Sequence, residues 1–218
     1  MWKYLIIMFM TASLGGGAVF SQIPVELFVG QNRTTLDVMF FRFFEDSQER
    51  PSKLLLFNRN RAGIDRAMSP TSNLPQFGFT EALSYNHPKL NGIAPVFVVQ
   101  VFNSGAYTKA GIQYAFLREK VTLFSWLVSE TERKPALDHY LLLRFTPGIT
   151  NELKLFSQIE SLSTFPTDSD LYSFTQRIRL GVEWRGFQFG AGSDLTERSG
   201  HPDPFSSNTG LFLRYDFK

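Results

Sequence analysis

Residues 209–218 read TGLFLRYDFK, and this stretch decides the fold. Every second side chain is apolar and those between are mostly polar: the first set is Leu211, Leu213, Tyr215 and Phe217, and the second is Phe212, Arg214 and Asp216. Successive side chains of a β-strand point to opposite faces, so the pattern predicts an amphipathic strand. Such a strand suits a soluble sandwich, whose polar faces meet water, or a barrel whose apolar face meets lipid.

The same alternation recurs along the chain and predicts twelve strands, separated by polar or Gly- and Pro-containing turns. Arg42 is out of phase with Asp37, so we expect a bulge or a misplaced strand boundary near it. If the first two strands form one bent strand, the count falls to eleven. The predicted strands are Val25–Gly30, Leu36–Phe44, Lys53–Arg61, Gln76–Tyr85, Pro95–Phe102, Ala106–Leu117, Val121–Ser129, Leu137–Phe145, Asn151–Glu160, Leu171–Trp184, Phe187–Asp194 and Thr209–Phe217.

Two of these strands illustrate the predicted faces. In Leu171–Trp184, the apolar Ile178 and Leu180 oppose Arg177 and Arg179. Glu81, by contrast, interrupts the apolar face of its strand. In the strand that begins at Val121 the apolar set is predicted to be Phe124, Trp126 and Val128, with Ser125 and Ser129 opposite.

The first residues predict an export signal. Lys3 supplies a positive charge, Tyr4–Met10 is apolar, and small residues lead to Ser21. We therefore expect a signal peptide over 1–21 and a single barrel domain over 22–218. The apolar run is too short to cross a bilayer as a helix. The chain has no cysteine, which excludes disulfides and cysteine metal sites.

Composition favours a membrane barrel over a soluble sandwich. The chain has 23 Phe, 7 Tyr and 3 Trp, yet its mean hydropathy is near neutral, as expected when alternation hides an apolar wall. Closure into a barrel would also remove exposed strand edges. Aromatic residues recur near predicted strand ends, as in a membrane girdle: Tyr85, Tyr107, Trp126, Phe145, Tyr172, Trp184, Phe187 and Phe217.

Connection lengths predict the orientation. Long connections are expected outside the cell and short ones in the periplasm. The predicted outside connections are Thr196–Asn208, Ser161–Asp170, Glu130–Ala136 and Gly63–Pro75, and the inside ones are Arg185–Gly186, Thr146–Thr150 and Arg118–Lys120. Asn103–Gly105 is short for an outside loop, and Glu45–Ser52 is long for an inside turn.

The signal, the alternating strands and the aromatic-ended closing strand resemble small outer-membrane barrels of Gram-negative bacteria. In strand number and length the chain is most similar to the twelve-stranded class that includes nucleoside-specific channels of the Tsx type; an uncharacterised barrel family is the alternative. The resemblance implies an all-β, antiparallel up-and-down transmembrane barrel. It also implies contact with outer-membrane lipid and with the barrel-assembly machinery, through the C-terminal strand.

The predicted inner face carries the candidate solute pathway. Its lumen-lining residues are Arg59, Arg61, Lys109, Arg144, Lys154, Glu160, Arg177, Arg179, Glu183, Asp194, Arg214 and Asp216. One interpretation is a wet, mildly basic channel for small polar or anionic solutes. The other is a charge ladder that braces a closed structural or surface-interaction barrel.

An enzyme is the less favoured class. A lipid hydrolase needs a serine, a base and an orienting group within hydrogen-bond reach. His87 and His201 are predicted in connections, and His139 on the lipid face. No phosphate loop or metal cluster is visible, so no cofactor is expected. The net charge of +2 argues against a nucleic-acid partner.

Overall fold

The computed structural model describes residues 23–48, 50–66, 75–132, 135–169, 171–200 and 202–217. The predicted signal peptide, residues 1–21, lies outside this part, and so does His201. The division into signal and barrel domain therefore stays a prediction.

Twelve antiparallel strands form one closed barrel in sequence order, and β1 pairs with β12. This confirms twelve strands rather than eleven. Pro88–Leu90 forms one short 3-10 turn. Among the described residues, no helix is long and apolar enough to cross a membrane. The strands are β1 Ile23–Gly30, β2 Arg33–Glu45, β3 Pro51–Asp65, β4 Gln76–Tyr85, β5 Ile93–Phe102, β6 Gly105–Leu117, β7 Val121–Glu130, β8 Ala136–Phe145, β9 Leu153–Pro166, β10 Ser173–Trp184, β11 Phe187–Arg198 and β12 Phe205–Phe217.

The closing seam joins β1 to β12 from Ile23 opposite Phe217 to Gly30 opposite Gly210, which confirms β12 as the closing strand. Asn208 stabilises the end of this seam that lies away from Ile23 and Phe217. Its Oδ1 accepts hydrogen bonds from the backbone N–H groups of Asn32 (2.9 Å) and Arg33 (3.1 Å), and its Nδ2 donates to the Arg33 carbonyl (3.0 Å). A Cβ at Gly30 would lie 2.2 Å from Asn208 Oδ1, so glycine leaves room for this clamp.

Strand β2 contains the expected irregularity, but it lies beyond Arg42. The β2–β3 register shifts between Phe43 and Glu45, whereas Asp37 and Arg42 belong to one regular ladder. Their different phases therefore reflect ordinary alternation along one strand, in which Asp37 is buried on the inner face. The β10–β11 turn at Arg185 and Gly186 is as predicted; both residues have positive φ (51° and 86°), which suits a two-residue hairpin.

The outer wall carries exposed apolar side chains on most strands. Leu211 on β12 is 69% exposed, and Ile178 and Leu180 on β10 are exposed as predicted. Glu81 also lies on this wall, where it accepts a hydrogen bond from Asn58, and Asn58 in turn accepts one from Asn60 (2.9 Å). Such a largely apolar exterior favours contact with lipid.

Strand β7 has the opposite orientation to the predicted one. Phe124 is 0% and Trp126 4% exposed, because both face the interior with Val128, while Ser125 lies on the outer wall with Leu127. Trp126 is therefore not a girdle residue. Nor is Tyr107, which shares the inner face of β6 with Lys109. The physical reason is that β7 is apolar on both faces, and its larger rings fill the interior.

Candidate functional site: the barrel interior

The interior is identified by side chains that meet across it from strands that are not neighbours. Arg59 on β3 reaches Glu160 on β9. Arg61 on β3 reaches Asp194 on β11 (2.8 Å), and Arg179 on β10 reaches Glu26 on β1 (2.9 Å). All twelve predicted inner-face residues lie on this side of the wall. That they line a solute path stays a prediction.

Four arginines and four carboxylates form what we call the central ion-pair layer: Arg59, Arg61, Arg177 and Arg179 with Glu26, Asp37, Glu160 and Asp194. Glu160 lies at its centre and contacts both Arg59 and Arg177 (3.5 Å). Asp194 contacts Arg61 and Arg179 (both 2.8 Å). Because the charges are equal in number, the layer is neutral as a whole, not a basic track.

Arg177 and Arg179 share a face but have different surroundings. Arg179 is 3% exposed, its guanidinium lies 4.0 Å from the centre of the Phe28 ring, and its Nε donates to Glu26. Arg177 lies beside open space and contacts Asp194 only at 3.9 Å. Thus Arg179 braces the wall, and Arg177 is the more accessible of the two.

The other half of the interior is an apolar plug, made of the buried residues Met39, Phe57, Ala82, Val96, Val98, Phe124, Trp126, Val128, Tyr140 and Leu142. Phe57 stacks on Phe124 with ring centres 5.2 Å apart, and Trp126 meets Phe57 edge-on at 5.3 Å. The Tyr140 hydroxyl donates to Glu160 (3.2 Å), so this residue joins the plug to the ion-pair layer.

Two cavities flank this filled midsection, and they share no lining residue. The distal vestibule, about 620 Å³, lies at the end away from Ile23 and Phe217; Arg33, Arg61, Arg177 and Arg198 line it, and Trp126 and Tyr140 contribute to its floor. The proximal cavity, about 320 Å³, lies at the end near Ile23 and Phe217. Packed side chains thus separate these two cavities.

The distal vestibule contains donors without partners. Among the described residues, Arg61 Nη1, Arg177 Nε and Trp126 Nε1 are buried and make no hydrogen bond. Buried N–H groups are normally satisfied, by protein or by ordered water. Around this cavity, such donors can be satisfied by water or by a ligand that carries acceptor oxygens.

The remaining predicted residues lie elsewhere in the interior. Lys109 on β6 pairs with Asp138 on β8. Lys154 pairs with Glu183 (3.4 Å), and Arg214 with Asp216 (3.4 Å), near the proximal cavity that Arg144 and Arg214 line. Glu26 and Asp37 were missed as members of the layer, although each alternates with apolar neighbours in a predicted strand. Their partners could not be found, because pairing across a barrel depends on strand stagger.

A serine and a histidine do meet, but on the outer wall. Ser125 Oγ lies 3.3 Å from His139 Nε2, and His139 is on the lipid side as predicted. Within the described residues, His139 makes no hydrogen bond to a group that would orient its ring. The arrangement therefore lacks the third member that serine hydrolases need.

The fold places the chain in the class of closed twelve-stranded β-barrels, and solved porins share it. The NanC porin matches with a TM-score of 0.52 at 7% identity, over 91% of this chain and 99% of that one. The KdgM porin matches with a TM-score of 0.51 at 10% identity, over 90% and 99%, and so does the KdgM porin in complex with disordered oligogalacturonate. No protein-family model and no curated protein matches the sequence. At these identities the likeness is one of fold, and the Tsx class in particular stays a prediction.

Proposed function

We propose that this protein is an outer-membrane channel that admits small anionic solutes to the distal vestibule and passes them when the central ion-pair layer rearranges. The observation that carries the proposal is the set of unpartnered donors on Arg61, Arg177 and Trp126 around one open cavity. Arginine forks match carboxylate and phosphate geometry, and aromatic rings beside them suit the apolar faces of sugars.

One solved structure with this fold supports the same solute class. One KdgM structure holds oligogalacturonate, a chain of sugar acids. In this chain the charges of the ion-pair layer are paired. A passing anion would therefore have to displace Glu160 or Asp194 from the arginines that they contact. Passage should therefore be slower than through an open pore.

A closed structural barrel is the second candidate, and the filled midsection favours it. Phe124, Leu142 and Glu160 are all buried between the two cavities. In that case the ion pairs only brace the wall, and the vestibule would at most bind ligands at the surface.

Planar-bilayer recording on the purified protein separates these candidates. We expect small, intermittent conductance steps that prefer anions, judged by the reversal potential across a potassium chloride gradient. Arg61→Gln with Arg177→Gln should reduce that preference, because lumen charges tune selectivity. Arg185→Gln, in the exposed β10–β11 turn, should leave it unchanged. A silent bilayer for folded wild-type protein and for a folded Phe124→Ala variant would overturn the channel and favour the closed barrel.

A further inference from the structure

At the proximal end of the interior, Arg144 forms an ion pair with none of the described carboxylates, although Glu45 lines the same cavity, as does Arg42. There Glu183 pairs with Lys154, and Asp216 with Arg214. Arg144 Nε instead donates to the neutral amide oxygen of Gln158 (2.7 Å). One guanidinium thus lacks a counter-charge in a partly buried position.

A second guanidinium converges on the same atom. Arg214 Nη1 also donates to Gln158 Oε1, at 3.4 Å. The guanidinium carbons of Arg144 and Arg214 lie 5.9 and 5.5 Å from the centre of the Phe156 ring. The two like charges are therefore held close together against one ring and one neutral oxygen.

Each of these arginines keeps a donor unused. The Nη2 atoms of Arg144 and Arg214 are buried and have no hydrogen-bond partner, and Arg214 as a whole is 3% exposed. Both residues line the proximal cavity. Two like charges at short range repel, and a buried charge without a counter-ion is costly, so packing alone gives no reason for this pair.

We propose that Arg144 and Arg214 form a binding site for one small oxyanion, such as a carboxylate, phosphate or sulfate, reached through the proximal cavity. Such an ion would accept hydrogen bonds from both free Nη2 groups and neutralise the unpaired guanidinium, in the geometry that arginine forks favour. The site does not depend on uptake through the distal vestibule.

Sulfate is a suitable probe, because it is an anion over the whole usable pH range. We would titrate sodium sulfate into detergent-solubilised, ¹⁵N-arginine-labelled protein at constant ionic strength and follow the arginine side-chain signals by NMR. One saturable site should shift the signals that Arg144→Gln and Arg214→Gln each remove. Arg144→Gln should weaken sulfate binding about tenfold or more, because it removes a charged partner.

The control is Arg185→Gln, at the same end of the barrel but exposed and paired with Glu152 (3.2 Å); it should change the affinity less than about twofold. Wild-type protein without a saturable sulfate shift would overturn the site, even if a variant failed to fold. Equal weakening by Arg144→Gln and Arg185→Gln would also overturn it, because the effect would then be general charge attraction. Binding that is lost in Arg61→Gln but kept in Arg144→Gln would locate the anion in the distal vestibule; this refutes the proximal site and leaves the channel proposal standing.

Discussion

Strands β7 and β10 fill the interior in opposite ways. From β10, Arg177 and Arg179 enter the barrel and need carboxylates from three other strands. From β7, Phe124 and Trp126 enter it and pack on other rings. One half of the midsection is therefore held by directional charge pairs and the other by non-directional packing. The difference teaches that the barrel does not require a polar lumen. Each strand can fill the interior with charged or with apolar side chains, as long as its inward-facing residues find partners there.

The largest effect is expected in the charged half. Glu160→Ala removes the carboxylate shared by Arg59 and Arg177 and leaves buried charge uncompensated, at a cost of about 3 to 5 kcal/mol in the free energy of unfolding. Urea unfolding in detergent micelles measures this. Glu197→Ala is the control, since Glu197 is partly exposed, lies outside the ion-pair layer, and accepts a hydrogen bond from the Tyr172 hydroxyl (2.7 Å). Equal losses in the two variants would mean that the ion-pair layer adds nothing specific.

A somewhat smaller effect is expected in the apolar half. Phe124→Ala should lower the free energy of unfolding by about 3 kcal/mol, because it opens a hole among packed rings. Phe189→Ala, on the outer wall, should lose less than half as much, because lipid or detergent tails fill the gap. If Phe189→Ala proved the more damaging of the two, the assignment of β7 to the interior would be wrong.

The smallest effect is expected for a substitution on β7, and it tests which face of this strand points into the barrel. Ser125→Val on the outer wall should change the free energy of unfolding by less than about 1 kcal/mol. The matched inner substitution, Ser84→Val, should lower it by about 1 to 3 kcal/mol, because Ser84 Oγ accepts hydrogen bonds from Gln113 (2.6 Å) and Asn86 (2.8 Å). The reverse ranking, read from the same urea transitions, would restore the predicted orientation of β7.

The strands themselves could be predicted from the sequence, because alternation has a period that no other regular structure shares. The side that faces inward could be predicted only where one face is clearly polar. β10 met that condition. β7 did not, because Val121, Leu123 and Leu127 make its other face apolar as well.

The candidate site was predictable in content but not in arrangement. Residue type and phase alone placed Arg59, Glu160 and Arg177 on the inner face. Their convergence depends on the stagger between β3, β9 and β10, which no short-range pattern records. The two cavities and the apolar plug between them could not be predicted either, because they depend on the same stagger between strands.

The Asn208 clamp has a consequence for the order of folding. Its partners, Asn32 and Arg33, are 176 and 175 positions away in the sequence, so no earlier local step can form these hydrogen bonds. The entropy of closing so long a loop must be lost before they contribute, whereas each hairpin needs only its neighbours. The first hairpin must therefore keep a free edge until every other strand is in place. Asn208 therefore contributes its three hydrogen bonds only at the closing step, when β12 meets β1 and the open sheet becomes a barrel.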